Sequence, residues 1–235
     1  MHIIFSNQFG CHSQSELILN YPRLINVAVE ERDQALEQGW LLTIKNNEEY
    51  WHQSRSTRTR LSATNYSKLD NSIFLNQPYP LAAMDKIYDS YCSYKNFKKY
   101  LEVEEFLNID TVVGYYQGPK LIAWSKLRHY SKESIESVQF VWNYDNPKSH
   151  LGLASLRHEI AWAKEVGYEY FYMGSSYEKT NIYKSDIDGF EWWTGKEWST
   201  DRDEYVYLCK RDSEISSCHQ IHTALATLQH SRNIL

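Results

Sequence analysis

No pair of the four cysteines, Cys11, Cys92, Cys209 and Cys218, stands in C-x-x-C spacing, so neither a zinc ribbon nor a dithiol redox motif is indicated. The one grouping with metal-binding chemistry is Cys218-His219 with His222. It is too short a cluster to define a site, and a polar tail accounts for it. No apolar run reaches the roughly 18 residues that span a bilayer. No N-terminal stretch joins a basic segment, an apolar core and a cleavage site. The expectation is a cytoplasmic protein that engages no membrane and uses no metal or resident cofactor. Positive charge is not in excess either: the formal net charge is −5, so any nucleic acid would have to be met by a local patch. Internal repeats and low-complexity tracts are absent.

What is present is aromatic surface. The 235 residues include 19 Tyr and 8 Trp. Rings with a polar edge suit half-wet pockets, including pockets that stack bases, and they equally suit a Tyr-rich sheet. The length fits one domain with a modest appendage. The division expected is an N-terminal helical and loop segment over 1–80, a catalytic domain over 81–210 and a polar tail over 211–235.

Along the chain, residues 27–40 have helical spacing with Gly39 as the stop. Residues 41–80 are polar and carry the basic cluster Arg55, Arg58, Arg60 and Lys68. Helical spacing returns from Leu81 through Met84, Ile87, Tyr91 and Tyr94, and a second short helix is expected over 103–107. The period then changes to two. Strands are expected over 110–116 and 120–128 around the turn Gln117-Gly118-Pro119. A third strand over 135–144 places Val138, Phe140 and Trp142 on alternate positions. A helix over 152–166 presents Leu153, Leu156, Ile160 and Ala163 on one face and ends at Gly167. A fourth strand runs over 168–174.

A three-strand antiparallel meander, a helix, and a strand parallel to the meander's last strand make an α/β (α+β) arrangement with a mixed central sheet flanked by helices. This order resembles that of GNAT-like acyltransferases. In that fold the strands before and after the helix splay apart, and the helix N-terminus presents free N–H groups to a phosphate of the acyl carrier. Here the run is Ser149-His150-Leu151-Gly152-Leu153-Ala154. It fits the glycine and alanine of the CoA-loop pattern but not its leading Gln or Arg.

Three segments together resemble the arginyl/leucyl-tRNA–protein transferase family. The first runs from Trp142-Asn143-Tyr144-Asp145 through Ser149-His150-Leu151-Gly152-Leu153 to Glu159-Ile160 and Ala163-Lys164. The second is Tyr170-Phe171-Tyr172-Met173-Gly174, followed by Tyr177-Glu178 and Ile182-Tyr183-Lys184-Ser185-Asp186. The third is Ser54-Arg55-Ser56-Thr57-Arg58. The chain departs from that family in having no cysteine over 41–53, and in carrying Ser93-Tyr94-Lys95 where the family has Ala-Arg-His. The resemblance implies transfer of an aminoacyl group from aminoacyl-tRNA, as co-substrate, to an amine acceptor, either a protein N-terminus or a small molecule. Two other readings stay open. One is an acetyl-CoA-dependent N-acetyltransferase acting on an RNA base or a small-molecule amine. The other is a non-catalytic module that binds tRNA or peptide.

Aminolysis of an ester or thioester requires that the amine be held, deprotonated and opposed to a stabilised oxyanion. Candidate proton-handling residues are Glu178, Asp186 and Tyr183, with Glu159 read as structural. Donor-binding candidates are Trp142, Asn143 and Tyr144 at the strand end, Ser149, Leu151 and Gly152 at the helix mouth, and Lys184. Arg55, Arg58 and Arg60 are candidates for tRNA phosphates, the alternative being a solvated basic loop. Tyr172, Glu191, Trp192 and Trp193 are candidates for an acceptor pocket in which Glu191 meets a cationic amine near aromatic faces. The alternative for residues 189–198 is a strand whose tryptophans cap the core.

Overall fold

The computed structural model describes residues 2–5, 22–45, 48–53, 55–75, 77–96, 99, 111–144, 151–176 and 179–212. The short helix expected over 103–107, nearly all of the C-terminal tail, and the Cys218, His219 and His222 group lie outside the described residues. The chain divides into two compact units, one of residues 1–63 with 172–235 and one of 64–171.

The first unit opens with a four-stranded sheet. Its strands are β1 (His2–Phe5), β2 (Pro22–Ile25), β3 (Trp40–Lys45) and β4 (Glu48–Gln53), in the order β1-β2-β4-β3. The helix expected over 27–40 is shorter, α1 (Arg32–Glu37). Gly39 ends it at φ +75°, and a Cβ there would stand 2.3 Å from the ring of Trp193. Both the left-handed backbone and the close approach therefore require glycine. Residues 41–80 are not loop. They hold β3, β4, β5 (Ser56–Arg60) and β6 (Ser72–Leu75), and Leu41, Leu42 and Trp51 are buried with Leu36 and Trp40.

The second unit carries β6 and the three strands expected from period two. They are β7 (Thr111–Gln117), β8 (Lys120–His129) and β9 (Ser134–Trp142), laid antiparallel in the order β6-β7-β8-β9. Helix α2 (Leu81–Lys95) covers one face. Its Met84 and Ile87 pack with Val112, Leu121, Trp124 and Val141, and the Trp124 indole N–H donates to the Met84 carbonyl at 3.1 Å. Asn96 closes α2 in the left-handed conformation at φ 55°.

Strand β9 contains a bulge. Lys126 pairs with Gln139 and Leu127 with Ser137, which leaves Val138 as the extra residue. A bulge re-aims the side chains that follow it. The expected alternation of Val138, Phe140 and Trp142 is therefore broken. Val138 and Phe140 are only partly buried, while Val141 is fully buried in the α2-facing core.

Helix α3 (Leu151–Val166) leads from β9 to β10 (Tyr170–Ser175). Gly167, at φ +105°, terminates it. The Gly167 and Tyr168 amides return to the Ala163 carbonyl at 3.2 and 3.1 Å, as a glycine C-terminal cap requires. The Glu169 and Tyr170 amides then donate to the Glu133 carbonyl at 2.8 and 3.0 Å. Strands β9 and β10 leave this shared junction in the same direction, so they start as a parallel pair joined through α3, as the order of elements predicted.

Beyond Phe171 the chain is in the first unit, where β10 neighbours β5. The Ser176 amide donates to the Arg55 carbonyl at 3.0 Å and the Thr57 hydroxyl to the Gly174 carbonyl at 2.9 Å. As the register rises on one strand and falls on the other, the two are antiparallel. Strands β11 (Phe190–Trp193) and β12 (Trp198–Ser199) continue outward from β5. Helix α4 (Arg202–Arg211) follows, with the Asp201 side chain accepting from the Glu204 amide at 3.0 Å, an N-cap of ordinary form.

Candidate functional site

The helix mouth of the second unit follows from the β9–α3 sequence. Leu151, Gly152, Leu153 and Ala154 form the first turn of α3 and are partly exposed. Among the described residues, a Cβ on Gly152 would touch only Phe140, at 3.9 Å. Internal packing thus does not demand glycine here, and the open backbone is available to a ligand. Ser149 lies outside the described residues. At the end of β9, the Asn143 amide donates to the Ile122 carbonyl at 2.9 Å, and its side-chain oxygen accepts from Ser90 of α2 at 3.2 Å. Trp142 and Tyr144 pack with ring centres 4.3 Å apart. Trp142, Asn143 and Tyr144 thus stand at one end of the connection from β9 to α3, and Leu151 and Gly152 at the other.

Behind this mouth α3 is pinned to the sheet by a carboxyl group. Glu159 is 1% exposed. It accepts from the Tyr115 hydroxyl of β7 at 2.8 Å and from the Ser137 hydroxyl of β9 at 2.9 Å. Burial raises its pKa above the ordinary carboxylate value, against the opposing effect of hydrogen bonds from Ser125, Tyr115 and Ser137. Burial, and then the neighbouring Glu159, hold the Tyr115 phenol well above its usual range. The sequence reading of Glu159 as structural agrees with this setting. The bulge at Val138 is what lets Ser137 and Phe140 both face α3. Because the bulge is a register feature, the bonding group of Tyr115, Ser125 and Ser137 was not recognisable in sequence.

Next to it, the His158 ring accepts at Nδ1 from the Leu69 amide at 2.9 Å. Its Nε2 is buried with no hydrogen-bond partner among the described residues. Burial, and secondarily the Lys68 cation, push its pKa down to about 4 from 6.5. The native state thus keeps the ring neutral where the unfolded chain protonates it. His158 contributes stability that is complete above pH 6.5 and lost as the pH falls through about 4. Between those values stability should decline by up to ~1.4 kcal/mol per pH unit on this account. Urea unfolding at pH 7, 5.5 and 4.5 tests it. A slope no different in His158→Asn, which keeps an acceptor for Leu69, would refute the assignment.

In the first unit the structure gathers the arginines differently from the expectation. Arg58 and Arg60 are two apart on β5 and so share a face. Arg58 stands opposite Glu191 across the β5–β11 pair. Arg58 is 2% exposed. Its Nε donates to Glu191 Oε2 at 2.7 Å, and its Nη1 donates to Glu37 Oε1 at 2.5 Å and to the Tyr172 hydroxyl at 3.1 Å. The guanidinium carbon lies 4.1 Å from the centre of the Trp198 ring. Burial opposes this charge, but Tyr172 and Glu37 outweigh burial and raise its pKa. Arg60 donates from Nε and Nη2 to Glu191 Oε1 at 3.2 and 3.1 Å, and 45% of its side chain is exposed. Arg55 points to the opposite side, 3% exposed, with its Nη1 directed at Cys209 Sγ at 3.9 Å.

Two expectations are corrected by this geometry. Arg55 and Arg58 are buried and cannot track a phosphate backbone; of the three arginines, Arg60 alone presents an exposed side chain. The acceptor pocket is likewise occupied from within. The cation that Glu191 meets beside aromatic faces is Arg58, and Tyr172 and Trp192 are 0% and 1% exposed. Residues 190–193 are the core strand of the alternative reading. Trp192 donates to the Asp201 carbonyl at 2.9 Å, and Trp193 packs over Gly39 and edge-on to Trp198. The partners that sequence reasoning missed, Glu37 and Trp198, lie far from Arg58 in the chain. The period-two run Ser56-Thr57-Arg58-Thr59-Arg60 was the available signal that this segment is a strand.

Of the remaining candidates, Lys184 is also inward. It is 7% exposed, and its ammonium donates to the carbonyls of Met173 at 2.6 Å and Ser175 at 3.1 Å. Its role as a contact for carrier phosphate is therefore replaced by that of a clamp on β10. Tyr183 and Asp186 sit on the 3-10 helix Lys179–Asp186 and are both exposed. Glu178 lies outside the described residues.

Comparison with known proteins places this geometry. The model of the family described as arginine-tRNA-protein transferase, C terminus, matches residues 72–193, from β6 to the end of β11. No curated protein matches the chain. Among solved structures the chain is similar to L-PGS from Bacillus licheniformis, at 14% identity and TM-score 0.44, over 63% of this chain and 52% of that one. It is also similar to a putative acetyltransferase of the GNAT family from Novosphingobium aromaticivorans, at 11% identity and TM-score 0.42, over 59% of each chain. A third is the C-terminal domain of a putative lysylphosphatidylglycerol synthetase from Agrobacterium fabrum, at 14% identity and TM-score 0.43, over 52% and 46%. The chain spans about half the length of these structures. The family match covers more than half of the sequence and runs through the β9–α3–β10 connection: the chain belongs to the acyltransferase family of arginine-tRNA-protein transferase C-terminal domains.

Proposed function

We propose that the protein transfers an aminoacyl group from aminoacyl-tRNA to an amine, a protein N-terminus or a small molecule. The observation that carries this reading is the family match over residues 72–193, which includes a helix mouth where, among the described residues, no contact requires Gly152. In this reading the carrier's phosphate meets the free amides of the first turn of α3, whose dipole end is positive. The backbone of Trp142 to Tyr144 holds the acyl group. Ester aminolysis is driven by the aminoacyl ester itself. The amine nitrogen attacks the ester carbonyl, the bond to the ribose oxygen breaks, and the amine's proton leaves while the 3′-oxygen gains one. Asp186 and Glu178 are the proposed proton acceptors, and Tyr183 the proposed donor to the leaving oxygen.

The test is transfer of a radiolabelled amino acid from charged tRNA to a panel of peptides and small amines, run beside labelled acetyl-CoA. Transfer from charged tRNA is the expected result, with Tyr183→Phe and Asp186→Asn reducing it about 10²-fold or more if each handles a proton. Transfer from acetyl-CoA alone would select the N-acetyltransferase reading. Transfer from neither would leave the binding module.

A further inference from the structure

Where α2 ends against the end of β9, the second unit exposes a built aromatic stack. The Tyr94 and Tyr144 rings lie 3.8 Å apart and 10° from parallel. Trp142 and Tyr91 flank Tyr144 with ring centres at 4.3 and 6.0 Å. Tyr94 keeps 58% of its surface in solvent, so the ring face turned away from Tyr144 is open. The exposed Lys95 holds its ammonium 5.7 Å from the Tyr144 ring centre, whereas Lys99 is engaged by Asp85 at 2.6 Å and Asp89 at 3.1 Å. The sequence here, Tyr94-Lys95-Asn96-Phe97-Lys98-Lys99-Tyr100, interleaves rings with lysines. An open ring face beside a cation suits a ligand that is both planar and anionic.

We propose that this stack is a binding platform for the adenosine that ends the acyl carrier, with the base on the outer face of Tyr94 and a phosphate beside Lys95. The assignment deepens the donor reading and rests on it: Tyr144 closes the strand that would hold the acyl group and precedes the loop to α3. Adenosine terminates both carriers under consideration, tRNA at its 3′ end and coenzyme A at its nucleotide end, so the chemistry is shared and the source is decided by experiment.

The test is equilibrium binding to the full chain of four probes. Two are RNA minihelices, one ending in CCA and one lacking the terminal adenosine. Two are coenzyme A and phosphopantetheine. The wild type should prefer the adenosine-bearing member of one pair, roughly 5- to 150-fold, which is what stacking contributes per base. The pair that shows the preference names the carrier. Tyr94→Ala should abolish the preference, Tyr94→Phe should retain it, and Lys95→Ala should weaken binding while flattening its salt dependence. An unchanged preference in a folded Tyr94→Ala protein, or no preference by the wild type in either pair, overturns the platform. The preference without any acyl transfer would support the platform and sink the transfer reading. Transfer from charged tRNA without the preference would do the reverse.

Discussion

Replacing Arg58 with alanine should destabilise the protein by about 3–5 kcal/mol, the cost of removing one partner from a buried ion pair. The guanidinium satisfies Glu191, Glu37 and Tyr172 together and lies over the ring of Trp198. Its loss leaves Glu191, whose side chain is 9% exposed, dependent on the half-exposed Arg60, and opens a void under the indole. Arg58→Lys should recover little of the loss. A single ammonium cannot place donors on Nε-side and Nη-side acceptors at once, and it stacks poorly on a ring. Urea denaturation reads the effect. A loss below about 1 kcal/mol for Arg58→Ala would mean that the cluster behaves as a surface ion pair, and the burial argued for it would be wrong.

The second large effect is expected at Glu159. Glu159→Ala deprives the Tyr115 and Ser137 hydroxyls of their acceptor and leaves a cavity between α3 and the sheet, together costing about 3–5 kcal/mol. Glu159→Gln keeps the shape and can still accept from Tyr115 while its amide donates to Ser137. It should lie within about 1 kcal/mol of the wild type at acid pH. The comparison also has a pH signature. The folded-state pKa of Glu159 is raised above 4.5, so its contribution to stability is complete below that value and is lost as the pH rises through the folded pKa. Glu159→Gln removes this loss and should gain on the wild type toward neutral pH. Equal pH dependence of the two proteins would show that Glu159 titrates as an exposed carboxyl, contrary to its place among the three hydroxyls.

How much was legible differs between the two units. The second unit was open to reading because its signals are local. Strands β7 and β8 alternate, Gly118 turns between them at φ +58°, and α3 has a clear apolar stripe and a glycine stop. The first unit was not, because its signals are partner-dependent. In β5 every second residue is a threonine or an arginine, and a reading that places charge in solvent makes such a segment a loop. It is a buried strand because Glu191 lies 133 residues away in sequence and directly across the ladder. Glu191 was read as a carboxylate meeting a substrate amine beside rings. The cation was misassigned to a substrate because nothing near Glu191 in the sequence shows that Arg58 reaches it. Lys184 was likewise taken for a ligand contact, when the carbonyls of β10 hold it.

The sequence by itself determined the order of elements from β7 to β10, the crossover through α3 and the glycine at its mouth, and with these the family, because periodicity and motif spacing are properties of neighbouring residues. Tertiary structure alone decided which charges are spent inside the protein and which surfaces remain for a ligand. Burial of Arg58, Glu159 and Lys184, and exposure of the Tyr94 ring, depend on groups brought together from distant parts of the chain, and the free energy of a charge is set by those groups and not by its place in the sequence.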